Sequence, residues 1–170
     1  MIAHQDFSRL RLREFCPDDD LYSDDLSDDA MTFDEVIRGA WFARPFTRPD
    51  ETFRVSVNLL DHSTDVGPSI LRRLGLPFTR DTLSSEVIAM LGTPHRTSLP
   101  SPGVASPHSE ILHFHMDHGG GYEIECVFLD PGVGDDWLPC YHVSTRSLWE
   151  VRVERSDYAA VMKEIEDRCP

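Results

Sequence analysis

Lysine is almost absent from this chain: Lys163 stands alone against fifteen arginines. That skew matches a GC-rich coding sequence as well as any mechanism, so no function follows from it. Also missing is any apolar run near the roughly 20 residues of a membrane span. The first residues, Met1-Ile2-Ala3-His4-Gln5-Asp6-Phe7, lack a basic stretch followed by an apolar one. Neither membrane insertion nor export is expected, and the expected location is cytoplasmic. Cys16, Cys126, Cys140 and Cys169 show no CxxC pairing. Without an export signal they read as reduced thiols rather than a disulfide framework. Positive charge is scarce too, with 16 basic residues against 30 acidic ones and a net charge of −14. This deficit argues against nucleic acid and anionic membrane surfaces, both of which need a basic footprint. Solubility alone and attraction to a basic partner are the two readings it leaves.

What is present suits a globular protein. With 170 residues, 40% of them hydrophobic, the chain reads as a single domain spanning 1–170, able to bury roughly 70% of its unfolded surface without a disulfide or metal. Residues 7–15 alternate as a strand, with Leu10 and Leu12 on one face and Phe7, Phe15 and the arginines on the other. The stretch from 16 to 30 holds seven aspartates, Asp18, Asp19, Asp20, Asp24, Asp25, Asp28 and Asp29, and reads as an exposed acidic loop. Its spacing lacks the central Gly and terminal Glu of a calcium loop. Thr32 and Glu35 form a capping box for a short helix ending near Gly39, although residues 41–46 read equally as extended. Residues 52–60 alternate as a firmer strand, with Phe53, Val55, Val57 and Leu59 inward. Helices are expected at 68–74, 82–91 and 156–168; the second has an apolar stripe of Leu83, Val87, Met90 and Leu91. A hairpin at 111–116 and 122–130 follows, then strands at 138–144 and 148–154. Strands in runs with helices inserted predict an α+β fold: an antiparallel β-sheet with two short central helices and a C-terminal amphipathic helix packed on it.

The helix–hairpin unit at 82–130 holds the most pointed motif. His113-x-His115-x-Asp117-His118 resembles the first metal-binding motif of the metallo-β-lactamase fold. That resemblance implies His113 and His115 on one zinc, Asp117 and His118 on a second, and a small metal-dependent hydrolase. The downstream ligands of that family are missing, since the residues after His118 hold one further histidine, His142. Read as a strand, Leu112, Phe114 and Met116 face the core while His113 and His115 form an outer polar row. Asp117 to Gly121 then turns the chain, because glycine tolerates positive φ. The hairpin is the preferred reading: no catalytic residue, no resident metal or cofactor. The hydrolase with zinc is the alternative.

A second resemblance lies in Val87, Leu91, Gly92 and Pro94, where a capped helix ends before a loop and antiparallel strands. Residues 82–144 resemble the SmpA/OmlA outer-membrane-assembly lipoproteins and the β-lactamase-inhibitor-protein group. The resemblance implies a non-enzymatic binding module; the lipoproteins' export signal and lipid-attachment cysteine are lacking. In size and acidity the chain is similar to immunity proteins of bacterial toxin systems, which cover the active site of a cognate toxin. The implied partner is a basic protein. The acidic stretch 18–29 is its contact and Tyr22, Trp41 and Trp137 its aromatic anchors, unless those rings are core.

Overall fold

In the computed structural model, residues 7–15, 23–26, 32–37, 39–60, 65–99, 110–116, 121–131 and 145–167 are described, 23–26 by backbone alone. Eight strands form one antiparallel sheet: β1 (Ser23–Leu26), β2 (Thr32–Ile37), β3 (Ala40–Pro45), β4 (Arg54–Asn58), β5 (Arg96–Ser98), β6 (Glu110–Met116), β7 (Tyr122–Leu129) and β8 (Ser147–Arg155). Their order is β1-β2-β3-β4-β8-β7-β6-β5. The last strand therefore lies mid-sheet and joins a β1–β4 meander to the β5–β7 group. Among the described residues three α-helices accompany the sheet: α1 (Val66–Arg73) and α2 (Ser84–Leu91) between β4 and β5, and α3 (Tyr158–Glu166) after β8. The α+β class and the antiparallel sheet agree with the sequence. Among the described residues no helix is long and apolar enough to cross a membrane.

Alternation divides the sheet into two faces. Inward go Phe42, Val55, Val57, Val151, Val153, Ile124, Cys126, Leu112 and Phe114, all buried. Ile70, Leu71 and Leu74 of the α1 region and Val87 of α2 join them in the main apolar cluster. α3 builds a smaller cluster, with Tyr158, Val161 and Ile165 around Phe53, as its spacing predicts.

Several expectations give way to tertiary contacts. Residues 7–15 are not a strand. They make a turn, with Leu10 N–H donating to Phe7 C=O at 3.0 Å, and then a 3-10 helix, Leu12–Glu14. A strand would send Leu12 to the face opposite Phe7, whereas the turn buries Phe7, Leu10 and Leu12 together. The helix expected after Thr32 is strand β2. Thr32 Oγ1 donates to Asp34 at 2.8 Å. The Glu35 carboxylate instead accepts from Leu12 N–H at 2.7 Å and pairs with Arg44 at 3.2 Å, both buried. A long-range buried pair outweighs a local cap worth about 1 kcal/mol. Asp24 and Asp25, expected in a loop, lie on edge strand β1 opposite Glu35 and Asp34.

The stripe on α2 is only partly realised: Val87 is buried, but Leu83 and Met90 are about half exposed. Glu86 caps this helix by accepting from Leu83 N–H at 2.7 Å, and Thr82 Oγ1 accepts instead from Thr79 N–H. On β8 a bulge opposite Val127 and Phe128 shifts the register, pairing Phe128 with Leu148 and Val127 with Glu150. Leu148 therefore joins Val151 and Val153 inside, while Trp149, which strict alternation would set beside them, rests half-buried on Leu60 and Leu129. The strand expected at 138–144 lies outside the described residues.

Candidate functional site

The outward-facing residues of the same strands are polar, and register sets them in rows. Arg96 pairs with His113, His113 with Glu125, Glu125 with Arg152, Arg152 with Ser56, and Ser56 with Trp41. A second row runs from His115 through Glu123 and Glu154 to Arg54. Opposite charges placed across a pair of strands are the sheet's means of holding polar side chains in place. Here they bond in sequence. Arg152 reaches Glu125 at 3.1 Å, Glu150 at 3.3 Å and Ser56 Oγ at 3.4 Å; Arg54 Nε reaches Glu154 at 2.6 Å.

His113 departs from expectation. It belongs to the outer row but is 3% exposed, because edge strand β5 brings Arg96 and Ser98 over it. Arg96 Nη2 lies 3.1 and 3.2 Å from the two ring nitrogens, Ser98 Oγ lies 3.2 Å from Nε2, and Glu125 lies 3.4 Å from Nδ1. Arg96 can only donate and reaches both ring nitrogens, while the Glu125 carboxylate faces Nδ1. Burial lowers the His113 pKa below 6.5, and Arg96 adds to the effect; Glu125 and Glu123 oppose it. Burial therefore favours the neutral ring. His95 stacks on His115, with centroids 3.8 Å apart and planes 13° apart.

This arrangement brings His113 and His115 onto one face, with Arg96 placed against His113. Among the described residues no three His, Cys, Asp or Glu groups converge as a metal-binding set. Asp117 and His118, the other two ligands of the hydrolase alternative, lie outside the described residues. Cys126 sits in the core, and burial pushes its thiol up to about 12, so it is inert at neutral pH.

Beyond the ladder, at the end of the sheet where β2 turns into β3, lies a groove of about 290 Å³. Trp41 and Trp149 stand at its walls, with Ser56, Asn58 and Glu150 supplying polar atoms. Trp41, expected as a partner anchor or as core, is half-buried on this outer side. Asp18, Asp19, Asp20, Tyr22, Asp28, Asp29 and Trp137 lie outside the described residues. Asp24 and Asp25 are placed on the backbone of β1, at the opposite edge of the sheet from Arg96. Sequence reasoning missed Trp149, Glu150, Arg152 and Glu125. Alternation on residues 148–154 was the available signal, and the bulge reversed it at Leu148 and Trp149.

Comparison with protein-family models, curated proteins and solved structures finds no match for this chain.

Proposed function

We propose that this protein is a non-enzymatic binding module of the immunity or inhibitor kind, acting in the cytoplasm, that neutralises a basic bacterial toxin or effector. One observation carries the reading: the sheet has one face of buried apolar side chains and one polar face of partly exposed carboxylates, arginines and indoles, in a chain of net charge −14. A rigid sheet holding charged and aromatic side chains in register costs little entropy when a partner docks. The acidic surplus speeds encounter with a basic partner and selects against acidic ones. In sequence, the seven aspartates from 18 to 29 account for much of the acidic surplus, and we take Trp41, Trp137 and Tyr22 as the aromatic anchors of the binding reading.

The test is co-expression with a candidate basic toxin taken from a neighbouring reading frame. The expected result is relief of that protein's toxicity, and a stoichiometric complex that dissociates more readily as salt rises. Zinc retained stoichiometrically through purification, together with a hydrolase activity lost in His113→Ala, would overturn the proposal. So would a complete lack of association at low salt.

A further inference from the structure

Two tryptophans distant in sequence line one groove. Trp41 comes from β3 and Trp149 from the start of β8; Ser56 and Asn58 on β4 and Glu150 on β8 add polar groups, and the β2–β3 turn lines the rest. The main apolar cluster of the inner face includes neither indole. Trp149 rests on Leu60 and Leu129. Trp41 carries the Arg54 guanidinium 5.6 Å from its ring centroid, so this indole already takes a cation from the chain itself. Glu150 accepts from Arg152 Nη2 at 3.3 Å on Oε1. A carboxylate has about four acceptor positions, which leaves capacity for a second donor.

Indole faces carry negative potential, and a carboxylate edge matches the two-pronged N–H fork of a guanidinium. Aromatic walls beside a carboxylate therefore suit a flat cation. Lysine offers a point charge that cannot stack, and a neutral planar urea gains nothing from the charge on Glu150.

We propose that this groove binds an arginine side chain presented by a basic protein, stacked against Trp41 and Trp149 and paired with Glu150. The inference rests on the binding-module reading and specifies one anchor that the partner must carry.

The probe is the peptide acetyl-Gly-Arg-Gly-amide, titrated into the full chain and followed by the indole Nε1–H resonances. Saturable shifts are expected at Trp41 and Trp149, with affinity on the order of millimolar for so small a ligand. Glu150→Gln should weaken binding about tenfold, and the citrulline peptide, neutral and of the same shape, should not bind. Trp149→Ala should abolish the shift at Trp41. Because Trp149 also packs on Leu60 and Leu129, Glu150→Gln decides the matter if that variant fails to fold. Equal binding of the citrulline peptide, undiminished binding to Glu150→Gln, or no saturable shift would overturn the proposal. So would tighter binding of a neutral disaccharide at the same indoles. The peptide does not depend on any partner, so its failure leaves the toxin-binding reading standing. A peptide that binds while no basic protein associates overturns that reading and keeps the groove.

Discussion

The same strands build two unlike faces. On β4, Val55 and Val57 point inward with no exposure, while Arg54 and Asn58 point out and stay partly wet. On β6 and β7, Phe114 and Ile124 are buried in the core, and His115 and Glu123 face the other way. The inner face is where apolar area leaves water, so it supplies stability. Outside, carboxylates and guanidiniums pair at partial exposure, an arrangement that contributes little to stability and is free to serve recognition.

Substitutions should separate the faces by size of effect. Phe114→Ala is expected to cost about 4 kcal/mol in urea unfolding, the range for removing a ring from a packed core. Glu35→Gln should follow at about 3 kcal/mol, since it strips a buried partner from Arg44 and weakens the acceptor for Leu12 N–H. Gly121→Ala should cost roughly 1–2 kcal/mol. Gly121 holds φ at 70°, and an added Cβ would stand 2.8 Å from Ser156 Oγ. On the outer face, Glu125→Gln should cost only about 0.5 kcal/mol, because the pair with Arg152 is partly solvated. A loss at Glu125 as large as at Phe114 would break the division between the faces.

Acid should sharpen it. The pKa of folded His113 lies below its unfolded value of 6.5. As pH falls through 6.5 the unfolded chain takes up a proton that the native ring resists, so stability declines towards acid and levels off below the folded pKa. His113→Gln should flatten that slope in unfolding measured between neutral and mildly acidic pH, with little change at neutral pH.

How much was legible beforehand follows from which contacts are local. The hairpin, β4, α1 and α3 were readable because their apolar periodicity coincides with what they bury. Residues 7–15 and 32–37 were not. Alternation suggested a strand in the first and a capping box suggested a helix in the second, yet the Glu35 link to Leu12 and Arg44 joins the two segments through space. The burial of His113 depends on β5, a three-residue strand with no signature of its own. Strict alternation would turn Trp149 inward with Val151 and Val153, and the bulge that reverses it leaves no trace in a single sequence. Of the candidate site, Trp41 was anticipated and the register that sets it near Glu150 was not.

The most direct test of the recognition role proposed for the outer face is calorimetric titration of a candidate basic partner, the kind the proposal requires, into wild type, Glu150→Gln and Ile88→Ala. Ile88 lies on α2, away from the outer sheet face, and is 38% exposed. The expected result is binding that weakens about tenfold in Glu150→Gln and at higher salt, and stays unchanged in Ile88→Ala. Loss of binding in Ile88→Ala with Glu150→Gln at full affinity would place the interface elsewhere and contradict this account.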